Sequence, residues 1–174
     1  EYLDLMQQLW SGDTVDHAGP LHAVSGVIGS PLPHQRPRPP IWIGGRSEPA
    51  LRRAARFDGW CAYAMSPRRM RTCVHRLREL RGDLDDFRVS AVLFTVVDSD
   101  EQRARATAAL LLGRRYGQDF DRYIDSFCAV GPIDHVRRRI AEYRDAGVND
   151  VLLSPQVPAD EYIDQVHQLA EVLS

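Results

Sequence analysis

The sequence contains no lysine, and all 22 of its basic residues are arginines in a chain of 174 residues. The 24 acidic residues leave a formal net charge of −2, so we expect no nucleic-acid partner. We interpret the basic run Arg137–Arg139 as the solvated outer face of a helix. No apolar run approaches the roughly 18 residues that a membrane-spanning helix needs, and no signal-peptide pattern is visible. We therefore expect a soluble, cytoplasmic protein without membrane contact.

Three cysteines are too few and too widely spaced to form a disulfide framework. Cys61, Cys73 and His75 match no zinc-ligand spacing, so we expect no metal site. The sequence also lacks a P-loop, a Gly-x-Gly-x-x-Gly fingerprint and a Gly-x-Ser-x-Gly elbow. These absences disfavour a classical nucleotide-binding fold. They also leave a hydrolase triad without the motif that would supply its nucleophilic serine.

The most informative segment is residues 39–60, PPIWIGGRSEPALRRAARFDGW, which predicts a strand, a glycine loop, a helix and the start of a second strand. The apolar run Ile41–Ile43 has β propensity and ends at two glycines. Ser47 is a suitable N-cap, and Pro49 falls in the first turn of a helix that we place at 47–57. A glycine loop that leads into a helix N-terminus exposes N–H groups near the positive end of the helix dipole, which is typical of an anion site.

Spacing alone leaves two interpretations of this loop open. It either binds an anion or is a tight strand-to-helix turn with a capping serine. Glu48 in the first helical turn weakens the local field for an anion, and Arg46 offsets that effect. Trp60 and Tyr63 on the second strand likewise either flank a ligand ring or pack in the core and at the rim, and Tyr63 is the better placed of the two for a ligand.

The remainder of the chain alternates between strand and helix patterns. Arg88–Val97 is the longest apolar run, and its lack of alternation is typical of a parallel strand buried on both faces. The other predicted elements are a helix at 1–11, a hairpin of 14–17 with 21–24, a strand at 59–63, helices at 66–81, 119–127 and 132–146, a helix capped by Asp98-Ser99 that runs to 112, a strand at 148–153 and a helix at 160–174.

Four core strands, each followed by a helix, predict a parallel sheet with right-handed crossovers. A complete eightfold barrel needs roughly 250 residues, so the pattern is too short for one. We predict one domain over residues 1–174, with a helix, hairpin and irregular insertion at 1–40 and four βα units at 41–174. The chain begins at Glu1 inside an apolar stripe, so we expect it to be part of a longer polypeptide.

Several segments together resemble a known family. PPIWIGGRS, ALRRAARFDGW and GPIDHVRRRIAEYRDAGVNDVLL are similar to the C-terminal half of luciferase-like oxidoreductases, which use FMN or the deazaflavin F420. EYLDLMQQLWSGDTVDHAGPLHAV resembles the mid-barrel helix and hairpin insertion of that family. The resemblance implies an α/β fold, namely the C-terminal half of a (β/α)8 barrel with parallel strands and outer helices, and it covers nearly the whole chain.

The resemblance also implies a site. In the family, the glycine loop and the end of the next strand contact the phosphate or acidic tail of the cofactor, at the strand C-termini where barrel enzymes place their sites. The matching positions in this sequence are Gly44, Gly45, Arg46 and Ser47, followed by Cys61, Ala62, Tyr63 and Ala64. The half of the barrel that supplies most contacts to the cofactor ring does not match this sequence, so no catalytic residue is predicted.

Three functional hypotheses follow. In the first, the chain is part of an F420- or FMN-dependent oxidoreductase or monooxygenase that acts on a small molecule. F420 is slightly favoured because the arginine-only composition resembles that of actinobacteria. The second is a catalytically silent half barrel that forms a homo-oligomer or pairs with a missing N-terminal half, because open sheet edges and an apolar interior must be covered. The third is a small α/β phosphate-binding domain that only resembles a barrel half.

Overall fold

A computed structural model describes residues 1–173, and Ser174, to which the last helix was predicted to extend, lies outside this range. The chain divides into two compact units, Glu1–Ile41 and a larger unit that begins at Trp42. Among the described residues, no helix is both long and apolar enough to cross a bilayer.

The first unit contains helix α1 (Tyr2–Ser11) and an antiparallel hairpin of β1 (Thr14–Ala18) and β2 (Ala23–Ile28). The predicted hairpin is confirmed, but its second strand begins two residues later than expected and is longer. The carboxylate of Glu1 explains the shift, because it accepts hydrogen bonds from the backbone N–H groups of residues 21 and 22 and holds them in the turn.

The second unit alternates strands and helices. Its elements are β3 (Trp42–Gly44), α2 (Glu48–Ala54), β4 (Gly59–Tyr63), α3 (Pro67–Arg81), β5 (Arg88–Val97), α4 (Glu101–Tyr116), α5 (Ile124–Phe127), β6 (Cys128–Gly131), α6 (Ile133–Asp145), β7 (Asp150–Pro155) and α7 (Tyr162–Leu173). Short 3₁₀ turns at Asp121–Tyr123 and Ala159–Glu161 precede α5 and α7.

Two details of the predicted elements are wrong. The N-cap of α4 is Asp100 and not Asp98-Ser99, because the Asp100 carboxylate accepts from the N–H groups of residues 102 and 103. That helix also continues past residue 112 to Tyr116 and ends at Gly117, whose φ of 64° is left-handed. Strand β6 was not predicted, because four residues between two helices are too few to give a periodic signal.

The parallel sheet has the order β3-β4-β5-β6, and β7 also pairs with β5. Residues 90–92 of β5 pair with both β4 and β7, and residues 94–95 pair with both β6 and β7. Because a strand has only two edges, β7 lies along one edge of β5, while β4 and β6 share the other edge in succession. Among the described residues, β3, β6 and β7 are therefore the strands with an unpaired edge.

The two faces of the sheet differ in burial. Ile43, Trp60, Ala62, Ala91 and Leu93 lie on one face and are all buried. The order β3, β4, β5, β7 moves in one direction, so right-handed crossovers place α2, α3 and α6 together on this face. Helix α7 lies beside α6, because Arg137 of α6 donates to the Glu171 carbonyl. We call this the helix face.

The opposite face, which we call the inner face, is partly open. Trp42, Tyr63 and Leu152 lie on it and expose 41%, 56% and 44% of their surface. At the C-terminal end of β5 the inner face is covered, because Phe94 and Val96 pack in one buried cluster with residues of α4 and α5. The open part corresponds to the interior of a barrel whose remaining strands do not lie within residues 1–173.

The prediction that Arg137–Arg139 forms a solvated face is confirmed for Arg137 and Arg138, which are exposed, and is wrong for Arg139, which is mostly buried. Arg137 donates to the carbonyl of Glu171 at 2.6 Å. Arg139 donates to the carbonyls of Asp125 at 2.5 Å and Cys128 at 3.2 Å. These guanidinium groups therefore satisfy carbonyls of neighbouring segments, and only Arg138 has the predicted exposed position without such a bond.

Candidate functional site

The loop after β3 is held in place by the strand next to it. The indole N–H of Trp60 donates to the carbonyl of Gly45 at 2.6 Å, and the Trp60 side chain is fully buried. Gly45 has a φ of 108°, and a Cβ built there would lie 3.0 Å from that of Ala50. The position therefore requires glycine for both backbone conformation and space, whereas a Cβ at Gly44 would meet only the Cys61 carbonyl at 3.9 Å.

The loop presents unused donors. Among the described residues, the backbone N–H groups of Arg46 and Ser47 have no hydrogen-bond partner. Ser47 occupies the N-cap position of α2 as predicted, but its side chain makes no capping bond, and α2 has only seven residues. The positive end of so short a helix is a weak source of field, so the N–H groups and the Arg46 side chain are the main attraction for an anion.

Glu48 does not compete with an anion as strongly as its position suggests. Its carboxylate accepts from Arg76 at 2.6 Å and pairs with Arg52 at 2.9 Å. The hydrogen bond from Arg76 lowers the pKa of Glu48 below its ordinary value. The charge of Glu48 is therefore engaged by two guanidinium groups, while the guanidinium of Arg46 contacts a carbonyl and, among the described residues, no carboxylate.

The end of β4 is bent sharply next to this loop. Ala64 has a φ of 48°, which is unusual for a residue with a Cβ, and its carbonyl accepts from Nη1 of Arg46 at 3.3 Å. Such strained positions occur most often at binding sites, where the surrounding structure maintains them. The contact brings together the ends of β3 and β4, the two regions that the sequence predicted to bind the cofactor tail.

Two adjacent cavities open at these strand ends. The first, of about 230 Å³, has aromatic walls and is lined by Arg46, Tyr63, Ala64, Tyr116, Gln118, Phe120, Tyr123 and Phe127. The second, of about 400 Å³, contains two arginines and is lined by Arg46, Ala64, Met65, Ser66, Arg69, Tyr123, Ser126 and Phe127. We call them the aromatic cavity and the cationic cavity. Arg46 lines both.

The structure separates the predicted residues of β4. Tyr63 and Ala64 line the aromatic cavity. Cys61 and Ala62 line neither cavity: Ala62 is 2% exposed on the helix face, and Cys61 lies farther from the rim, paired with Gly44 and Ser90. Burial raises the pKa of the Cys61 thiol, so it is unsuited to act as a nucleophile.

Trp60 is a core residue and does not flank a ligand, because none of its surface is exposed. Sequence reasoning also missed most of the cavity walls. The segment 116–127 carries aromatic residues at 116, 120, 123 and 127, a spacing of four, three and four that would place them on one side of a helix. That periodicity was visible, but nothing local indicated that it would meet the end of β4.

No group of three or more histidine, cysteine, aspartate or glutamate side chains within residues 1–173 is arranged to hold a metal ion. The groups with strongly raised pKa values do not line either cavity. Burial raises the pKa of Cys128 to about 12, and it also raises the pKa of Tyr143, whose hydroxyl donates to the Met65 carbonyl at 2.7 Å.

Comparison with known proteins identifies the family. The profile of the luciferase-like monooxygenases matches residues 1–150. The uncharacterized protein Rv0940c of Mycobacterium tuberculosis is 33% identical over 95 residues, which is 53% of this chain and 32% of that protein. The chain therefore spans well under two thirds of the length of its curated relatives.

Solved structures share the fold. The monooxygenase RslO1 from Streptomyces bottropensis superposes with a TM-score of 0.81 at 22% identity, over 98% of this chain and 58% of that one. An F420-dependent secondary alcohol dehydrogenase, in complex with an F420-acetone adduct, gives 0.80 at 15% identity, over 99% and 60%. The F420-dependent tetrahydromethanopterin reductase from Methanopyrus kandleri gives 0.70 at 20% identity, over 95% and 59%.

These findings confirm the predicted fold, half of a (β/α)8 barrel with parallel strands and outer helices. They contradict the third hypothesis, that of a small phosphate-binding domain that only resembles a barrel half, because the family profile covers most of the chain. The chain belongs to the luciferase-like monooxygenase family.

Proposed function

We propose that this chain forms the tail-binding rim of an F420- or FMN-dependent oxidoreductase or monooxygenase. The observation that carries the proposal is the pair of unpartnered N–H groups at Arg46 and Ser47, next to the guanidinium of Arg46. Free N–H donors and a cation at the C-terminal end of a parallel strand fit an anionic group. When bound, either cofactor supplies hydride or oxygen chemistry at its ring, and the protein orients it and excludes water.

The affinity of this loop for a phosphate is limited by the number of hydrogen bonds that it can make. Each charge-assisted hydrogen bond contributes about 1.5–3 kcal/mol, so a few of them anchor a phosphate but do not account for full cofactor affinity. The resemblance to the family assigns most contacts with the cofactor ring to residues outside this sequence. We therefore expect residues 1–174 alone to bind a cofactor weakly and to be inactive.

Between the two cofactors, the cationic cavity favours F420. Arg69 lines it together with Arg46, and Ser66 and Ser126 add hydroxyl groups. Helix α3 begins at this cavity and has no acidic residue in its first turn. The tail of F420 carries carboxylates beyond its phosphate, whereas FMN ends at a single phosphate. A second cation would therefore strengthen the binding of F420 more than that of FMN.

Titration of the purified chain with FMN, riboflavin and F420, followed by ring fluorescence, tests the proposal. We expect FMN to bind more tightly than riboflavin, which lacks the phosphate, and F420 to bind at least as tightly as FMN. Arg46→Ala should weaken FMN binding about tenfold or more, which corresponds to about 1.4 kcal/mol. Arg69→Ala should weaken F420 more than FMN.

Arg53→Ala is a matched control, because Arg53 is an exposed arginine of α2 that lines neither cavity. Equal affinity for FMN and riboflavin, or an equal effect of the Arg46 and Arg53 variants, would contradict a phosphate site at this loop. The absence of saturable binding by all three compounds, even when a polypeptide with the missing strands is supplied, would refute the cofactor hypothesis.

The partly open inner face favours a second proposal, that this chain pairs with a polypeptide supplying the other strands of the barrel. Trp42, Tyr63 and Leu152 expose apolar surface there, and β3 and β7 have unpaired edges among the described residues. The relatives contain additional chain that could supply the missing strands. Light scattering tests this idea on the purified chain: dimers or larger species are expected, and a stable, well-folded monomer at high concentration would contradict it.

A further inference from the structure

The aromatic cavity has walls that are organised as ring stacks. Tyr116 and Phe120 stack with centroids 5.4 Å apart and planes 25° apart. Tyr123 and Phe127 stack at 5.9 Å and 20°. Phe120 meets the second pair edge-on, at 70° to Tyr123 and 84° to Phe127. The rings hold one another in fixed orientations, so the cavity presents flat surfaces and defined edges.

Two of the aromatic residues that line the cavity remain exposed to solvent. Tyr63 is 56% exposed and Tyr116 is 42% exposed, although both line a concave space. Phe120, by contrast, is buried in the cluster that packs between β5 and α4. An occupant of the cavity would therefore gain apolar contact with rings that are already positioned, without a rearrangement of the core.

The polar groups of the cavity lie among these rings and have no negative charge. Arg46 and Gln118 line it, and no carboxylate lines it among the residues that the structure describes. A guanidinium and a carboxamide suit an oxygen acceptor such as a carboxylate, a phenolate or a carbonyl. The cavity is therefore suited to a molecule with an apolar body and an oxygen-bearing edge.

The size and position of the cavity further restrict which ligands it can bind. Its volume of about 230 Å³ is smaller than the roughly 300–1,000 Å³ typical of drug-sized ligands, which limits the occupant to one or two fused rings. Tyr63 is the last residue of β4 and lies on the inner face. In barrel enzymes this location, inside and at the C-terminal ends of the strands, is where the reaction occurs.

We propose that the aromatic cavity binds the substrate, and that the substrate class is a planar aromatic compound with one or two rings and an oxygen acceptor on its edge. Calling this ligand the substrate rests on the proposed function. The binding of such a ring to the cavity does not depend on the cofactor. Stacked and edge-on rings discriminate a planar ring from a saturated ring of the same skeleton, on the order of threefold to tenfold in affinity.

Calorimetric titration of the 174-residue chain with 2-naphthoate and decahydro-2-naphthoate tests the proposal, because the two carboxylates share one carbon skeleton. We expect saturable binding of 2-naphthoate and binding of the saturated compound that is several-fold weaker. Tyr116→Leu should reduce the affinity for 2-naphthoate several-fold and remove most of the discrimination, and Tyr116→Phe should retain both.

Tyr162→Leu is the matched control, because Tyr162 is a tyrosine of α7 with 45% exposure that lines neither cavity. Circular dichroism of each variant verifies that the fold is retained. Equal binding of the two carboxylates, no saturable binding, or an equal effect of the Tyr116 and Tyr162 variants would overturn the assignment.

A competition experiment separates this inference from the proposed cofactor site. If riboflavin displaced 2-naphthoate, the cavity would hold the cofactor ring and the substrate assignment would be overturned. If 2-naphthoate bound as expected while FMN and F420 did not bind, the aromatic ring site would stand and the cofactor proposal would fail. If the cofactors bound and 2-naphthoate did not, the inference would fail alone.

Discussion

The indole N–H of Trp60 donates to the carbonyl of Gly45 at 2.6 Å, which ties the loop after β3 to the interior of β4. The indole is fully buried, so this hydrogen bond is partly shielded from water, and its loss would leave the Gly45 carbonyl without this donor. The Arg46 contact with Ala64 adds a second, exposed link between the same two strand ends.

Trp60→Phe should lower the free energy of unfolding by about 1–3 kcal/mol, because it removes the donor and part of a buried side chain. It should also weaken FMN binding, since the loop loses its support. Trp42→Phe is the control: Trp42 is 41% exposed, and we expect its change to stay within about 0.5 kcal/mol. Urea denaturation measures both, and equal losses would contradict a special role for the Trp60 bond.

Gly45→Ala should destabilise the protein by about 1–3 kcal/mol, because it places a Cβ at a φ of 108° and 3.0 Å from Ala50. Gly44→Ala should have a much smaller effect, since its φ is not positive and its Cβ would have an ordinary contact at 3.9 Å. Comparison of the two midpoints of thermal unfolding provides the test. A larger decrease in the midpoint of thermal unfolding for Gly44→Ala than for Gly45→Ala would contradict the loop conformation described above.

The Asp150 carboxylate makes a two-bond ion pair with Arg88, one bond being 2.9 Å long, across the N-terminal ends of β5 and β7. The Arg88 hydrogen bond lowers the pKa of Asp150 in the folded protein. A lowered folded pKa contributes stability that is present above the unfolded value of about 3.9 and is lost as pH falls through the folded value.

Asp150→Asn should therefore be less stable than the parent at pH 7, and the difference should shrink as the pH falls below about 4. Chemical denaturation at pH 7, 5 and 3 measures this difference. Asp160→Asn is the control, because Asp160 is exposed and has no ion-pair partner among the described residues, and we expect little difference at any of these pH values. A pH-independent loss in the Asp150 variant would mean that packing, not charge, determines its effect.

The side chain of Gln165 on α7 extends the backbone hydrogen bonding of β5. Its carbonyl accepts from the N–H of Val97 at 2.9 Å, and its amide donates to the carbonyl of Val97 at 2.6 Å. Gln165→Met should cost about 2–4 kcal/mol, because it leaves two buried backbone groups unpaired. Gln102→Met changes an exposed glutamine of α4 and should cost far less; the unfolding free energies compare the two.

The periodic elements of this protein were predictable because their signal is local. The apolar stripe of α3 and the unbroken run of β5 each indicate their own structure, and the parallel sheet follows from their alternation. Strand β6 was missed because its four residues acquire their conformation only by pairing with the end of β5. The N-cap of α4 was misplaced because Asp98 and Asp100 are both suitable caps by sequence.

The loop Gly44–Ser47 was identified from its glycines and its place between strand and helix, and its role in cofactor binding stays a prediction. Its partners were not predictable. The sequence indicates that Trp60 is apolar, but not that its N–H reaches Gly45. Arg69 and Tyr116 are separated from Arg46 by 23 and 70 positions, and they share cavities with it only after the chain has folded.

The sequence by itself determined the family, the alternation of strands and helices and the glycine at the bend, because each depends on residues close together along the chain. The tertiary structure alone decided which residues line the two cavities, which arginines satisfy carbonyls and which face of the sheet remains open. Those features depend on contacts between segments that lie tens of residues apart, and such contacts leave no periodic trace in the sequence.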